Sequence, residues 1–286
     1  LEELFLDIVE RQEEARRSEA PTTPLEDPVP PPFPLADLFG PATRRLIGKE
    51  WRQLRASGSA FWTSLMMPVF FLLLMPQTFV FAMRAAAEEE PSGDPLPEFG
   101  MLGDIADDPT RAVIALMPIF ITIAALAAPT ALVTHSIVNE RETRTLELLV
   151  ALPVRIQQVV AAKLGCAFLF AGGVCAVCTL ILDVELVALD LATIPEALGL
   201  LFLCLAAVAQ ATAGALFVAL TAKDFRTANN LAGLLIAPAI FIVIGVTMVT
   251  SGGLVRPLII ALLLLTTALA LGRVALRSAT FEKLLA

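Results

Sequence analysis

The chain has 286 residues, 57% of them hydrophobic and only 17% charged, with no tyrosine, one histidine and a formal net charge of −8. Apolar runs of about twenty residues follow one another, matching a hydrocarbon layer of about 30 Å at about 1.5 Å rise per residue. This excludes a soluble globular domain, and no nucleic-acid partner is expected; the negative charge acquires meaning only from where the charges sit.

Residues 1–20 (LEELFLDIVERQEEARRSEA) suit a short polar helix with Leu1, Leu4, Phe5, Ile8 and Val9 on one face. No basic-then-apolar leader with a small-residue cleavage site precedes the first span, so insertion is expected to use that span itself. The chain opens on Leu1 rather than Met, which suggests that it was cut from something longer. Residues 21–36 (PTTPLEDPVPPPFPLA) hold seven prolines. Prolines remove backbone donors and favour extended chain, so this stretch reads as a linker.

From Asp37 to Ser59 the pattern turns helical and basic. Phe39, Leu46, Ile47, Trp51 and Leu54 share an apolar side, and Arg44, Arg45, Lys49, Arg52 and Arg55 supply a polar one. Such a helix is expected to lie in the membrane interface, its tryptophan at headgroup depth and its cations facing anionic lipid. The plainer reading is a basic extension of the first span.

Six spans follow, at about 61–83, 112–138, 160–182, 197–222, 231–250 and 257–276. Pro68, Pro76, Pro118, Pro129 and Pro238 lie inside them and are expected to kink or open the helices. The second run is long enough to require tilt. With the N-terminus in the cytoplasm, 17 of the 20 Lys and Arg lie inside, and only Arg84, Arg111 and Arg256 lie outside. The positive-inside rule selects that orientation, with both termini cytoplasmic. The outer loop 84–111 carries eight carboxylates, Glu88, Glu89 and Glu90 among them, which chiefly solvate it.

Between spans 2 and 3 lies NERETRTLELLVALPV, residues 139–154. Asn139 is placed to cap a helix, with Glu142 reaching back three residues later. Glu140 and Arg144 form a favourably ordered i, i+4 pair. Leu146, Leu149 and Val150 make an apolar stripe, and Pro153 stops the helix. A segment this short cannot span, so its stripe must be buried against headgroups or against a partner.

Glu140-Arg-Glu-Thr-Arg-Thr-Leu-Glu-Leu-Leu, followed by Leu152-Pro153-Val154 and Lys163, resembles the signature of type-2 ABC transporter permeases, roughly E-[KR]-E-x-G-T-[LW]-E-x-L-L-x-x-P with a lysine at the start of span 3. Arg144 departs from the usual glycine, while Thr145, Glu147 and Pro153 keep their spacing. Lys223-Asp-Phe-Arg-Thr-Ala-Asn-Asn230 resembles the family's second cytoplasmic loop, and Phe281-Glu-Lys-Leu-Leu285 resembles its C-terminal ending without the arginine. Leu1-Glu-Glu-Leu-Phe-Leu-Asp-Ile is similar to the closing segment of many ABC ATPase domains.

The resemblance implies an all-α polytopic membrane protein of six transmembrane helices, with an N-terminal amphipathic interfacial helix and a short cytoplasmic coupling helix. Its parts are the tail of an ATPase domain at 1–20, a linker at 21–36 and a permease domain at 37–286. It implies docking of Glu140, Arg141, Glu142, Arg144, Thr145, Leu146, Glu147, Leu149 and Pro153 in a cleft of an ABC ATPase, fused or separate. It also implies a second permease copy or a related subunit, a plasma-membrane location and export. ATP and magnesium would be bound by the ATPase, with no cofactor in this chain. A relative of the same architecture that extracts lipid or transmits force, without a cargo path, is the alternative.

Chemistry within the chain itself is not expected. There is no G-x-x-x-x-G-K-[ST] phosphate loop. An intramembrane hydrolase would need paired carboxylates, H-E-x-x-H, or a serine with a histidine base; His135 stands alone and no span as drawn holds an acid deep in its core. Cys166, Cys175, Cys178 and Cys204 read as buried packing residues, and Cys175-Ala-Val-Cys178 lacks further ligands for a metal. Thr122, Thr130, Gln210 and Thr212, with Thr266 and Thr267, are the polar residues able to bond between helices or to line a path.

Overall fold

The fold is taken from a computed structural model, which describes residues 40–78, 81, 109–142, 156–222, 225–250 and 253–278, all within one unit, Leu38–Ala286. The expected ATPase tail, the linker, the outer 84–111 loop up to residue 108, most of the charged segment and the C-terminal ending lie outside these residues.

The described chain is helical: α1 (Pro41–Ala56), α2 (Gly58–Val69), a π turn (Phe70–Leu74), α3 (Pro109–Glu142), α4 (Ile156–Ala188), α5 (Ile194–Thr221), α6 (Phe225–Val249) and α7 (Val255–Ser278). Six stretches among the described residues are long and apolar enough to cross a membrane: Phe61–Thr78, Ile114–Ile137, Gln158–Ala188, Ile194–Thr221, Arg226–Val249 and Val255–Ala275. These correspond one for one with the expected spans.

Two boundaries moved for identifiable reasons. The third span ends at Ala188 rather than 182, taking in Asp183 and Glu185. Asp183 turns inward and is only 5% exposed, so an acid does sit inside a span after all. Beyond Ala188, Asp190, whose φ is 55°, closes a tight turn into α5, where the Glu196 carboxylate accepts the Thr193 backbone N–H at 2.7 Å. The fifth span starts at Arg226 within a helix that begins at Phe225, because Thr227, Asn229 and Asn230 continue that helix rather than forming a loop.

Prolines act as expected on span 1. Pro76 cannot donate to Leu72, and just before it the helix widens, the Met75 N–H bonding the Phe70 carbonyl five residues back. In α3, Thr122 and Thr130 donate to the carbonyls of Pro118 and Leu126, each at 2.6 Å. Thr212, Thr266 and Thr267 likewise donate within their own helices. Among the described residues these threonine hydroxyls donate within their own helices rather than between helices: a hydroxyl in lipid is satisfied most cheaply by the carbonyl one turn back.

Spans 2 and 4 form the centre, with 67% of each apolar window buried, against 22% to 28% for spans 1, 5 and 6. α5 pairs most extensively with α7, and next with α3. Water is not expelled when helices meet in lipid, so close fit between small residues carries the packing. Ala206, Ala207, Ala211, Ala215 and Ala219 on α5 are all buried. At Gly199 the approach is closest: a Cβ would lie 2.9 Å from Leu254 and 3.0 Å from Pro257. The four cysteines are free and buried, as the sequence suggested.

Candidate functional site

A buried ionic cluster lies where α1, the end of α3 and the start of α4 meet. α1 carries its side chains in two sets. Ile47, Glu50, Trp51 and Leu54 recur at i, i+3, i+4 and i+7, the spacing of a buried helical stripe. Ile47 reaches Gly165 of α4, and Trp51 meets Phe170 edge-on at 5.5 Å. The apolar side of α1 thus packs on span 3, and its tryptophan is half-buried there rather than placed by headgroups alone.

Glu50 occupies a stripe position and is carried inward with its neighbours, 7% exposed. Both its oxygens lie 3.1 Å from Lys163 Nζ. Lys163 is also 2.9 Å from Glu140 Oε2 and donates to Ser136 Oγ at 2.9 Å. The Ser136 hydroxyl donates onward to Glu50 at 3.3 Å. Gln53 Nε2 donates to Glu140 Oε1 at 3.3 Å. Lys49 approaches the same cluster from the rim, 3.5 Å from Glu140 and 3.6 Å from Glu50, with 45% of its side chain exposed.

Charge balance explains the composition. An ionised group taken out of water costs several kcal/mol unless it is paired and hydrogen-bonded. Lys163 and Glu140 expose 2% and 3% of their side chains. Two carboxylates against one buried ammonium leave one negative charge over, and Lys49 neutralises it. A cavity of about 90 Å³ adjoins the cluster, lined by Glu50, Gln53, Ser57, His135, Ser136 and Cys166 among others.

Of the expected docking residues, only Glu140 has a described side chain, and its carboxylate is turned into this cluster. The helix expected to begin at Asn139 is instead the unbroken continuation of span 2 to Glu142, because nothing between Ile137 and Glu142 breaks it. Arg141 and Glu142 lie in that last turn, their side chains outside the description. Arg144, Thr145, Leu146, Glu147, Leu149 and Pro153 fall in 143–155, outside the described residues. On α1, Arg44, Arg45, Arg52 and Arg55 are exposed, Arg55 lying over the Trp51 ring at 5.0 Å. The expected polar path residues separate: Thr130 and Gln210 border one small cavity of about 20 Å³ between α3, α5, α6 and α7, and Thr122 and Thr212 do not.

Glu50, Gln53 and Ser136 are the members that sequence reasoning passed over, and Glu50 is the charged one among them. Its signal was a carboxylate on the apolar stripe of an otherwise basic helix. No group of three His, Cys, Asp or Glu side chains able to hold a metal occurs among the described residues.

A family model described as "ABC-2 family transporter protein" matches residues 102–272. No curated protein and no solved structure matches the chain significantly.

Proposed function

Because the chain belongs to the ABC-2 family of transporter proteins, an integral membrane permease component whose family works with an ABC ATPase, we propose that residues 143–155 receive the ATPase and that the ionic cluster carries its movement into the bundle. The segment leaves α3 at Glu142 and re-enters the fold at Ile156. Glu140 stands two residues before its departure, Lys163 stands two turns after its return, and the two are in direct contact at 2.9 Å. Both roots of the segment are thus tied to one point, and Glu50 ties that point to α1. A push on the segment therefore reaches both of its roots together.

In this reading two copies of the chain, or one copy and a related subunit, surround a path, and closure of two ATPase domains drives its opening. The cluster side faces the cytoplasm of a plasma membrane, as the distribution of basic residues favours. Outward transport is assigned from the family resemblance. Thr130 and Gln210, which border the small cavity between α3, α5, α6 and α7, are the polar groups we assign to that path.

Co-purification of the ATPase with the tagged chain tests the docking role. Arg144→Glu and Glu147→Lys together are expected to abolish both association and ATP-dependent transport. Unchanged association with unchanged transport would remove this segment from the interface.

A further inference from the structure

The outward face of α1 is cationic with no acid on it. Arg44, Arg45, Lys49, Arg52 and Arg55 are all exposed. At 3.6 residues per turn they fall within an arc of about 140°. The helix has one acid, Glu50, and it is withdrawn into the cluster. Among the described residues no carboxylate pairs with Arg44, Arg45, Arg52 or Arg55. The helix also sits at a fixed depth: its inner face is bonded to the last turn of α3 and to Lys163 of α4, so its outer face lies at the level where those spans leave the hydrocarbon.

We propose that this face binds the phosphates of anionic phospholipids in the adjoining leaflet, and that Lys49 carries lipid occupancy into the buried cluster. Juxtamembrane cations each add to affinity for an anionic surface, within a Debye length. Lys49 belongs to both sets: it is the rim cation that neutralises Glu50 and Glu140, and it holds them at longer range than Lys163 does. A headgroup phosphate beside it competes with Glu140 for the same ammonium. Drawing Lys49 outward leaves the extra negative charge inside and loosens the last turn of α3. The proposal requires that the chain spans a membrane and does not depend on ATPase docking.

The test uses the full chain in bilayers of phosphatidylcholine, alone or mixed with phosphatidylglycerol, with Trp62→Phe leaving Trp51 as the one tryptophan. Brominated phosphatidylglycerol is expected to quench Trp51 more strongly than brominated phosphatidylcholine at low salt. The preference should fall roughly fivefold for each of Arg44, Arg45, Arg52 and Arg55 changed to Gln. Amide exchange in the last turn of α3 should be faster in the anionic bilayer, and equal in both bilayers for Lys49→Gln. Equal quenching by the two lipids, or a preference that survives all four substitutions, overturns the lipid site. Lipid-dependent exchange persisting in Lys49→Gln overturns the role of Lys49. A preference abolished by adding the ATPase would make protein, not lipid, the occupant in the assembled transporter.

Discussion

Lys163 holds four oxygen partners within 3.1 Å while exposing 2% of its side chain. Removing it leaves two carboxylates buried with only a rim cation to balance them. Lys163→Met is therefore expected to destabilise the folded protein by about 3–5 kcal/mol, read as a lowered unfolding midpoint in detergent. Adding Glu50→Gln and Glu140→Gln removes the stranded charges and should recover most of that loss. A single substitution no worse than an exposed one, such as Arg45→Met, would mean that water reaches the cluster freely. At this scale the sequence was only partly readable. Lys163 and Glu140 stood out by their place in a motif, but pairing depends on three helices converging, which no spacing along one of them records.

Among elements, α5 and α7 pair most extensively, and Gly199 lies at a close approach between them. The hydrogen of Gly199 permits an approach that a methyl group would not, since the Pro257 ring cannot swing aside as a leucine end can. Gly199→Ala is expected to cost about 1–3 kcal/mol, measured as a fall in thermal midpoint. Ala213→Gly, at a half-buried position of the same helix, should lack the steric component of that loss. The positions of the helices were legible because a run of apolar residues long enough for a bilayer has few other uses. Their ends were less so: an acid such as Asp183 looks like a terminus until its direction is known. The basic helix was legible as a helix, yet what its apolar side covers, Gly165 and Phe170 of α4, lies more than a hundred residues along the chain.

For the whole molecule, the arrangement puts two well-covered spans at the centre and leaves three sparsely covered ones outside. Exposed Phe241, Leu234, Leu262 and Leu269 lie on α6 and α7, on surfaces open to lipid or to a second copy. The all-helical class and the six crossings followed from composition and period. Whether polar residues meet did not: Thr130 and Gln210 border one small cavity whose lining does not include Thr122 or Thr212.

The lengths of α3 and α4 carry a further consequence. At 34 and 33 residues they reach about 50 Å along their axes, against a hydrocarbon layer of about 30 Å. They must lean or protrude, and both enter the ionic cluster, α3 by its last turn and α4 by its second. A thicker membrane would stand them upright and a thinner one would lay them over, turning the cluster with them. Reconstitution across a series of acyl-chain lengths should therefore give a peaked transport rate rather than a flat one, with the hydrophobic thickness of the host membrane acting as a tuning variable for the machine.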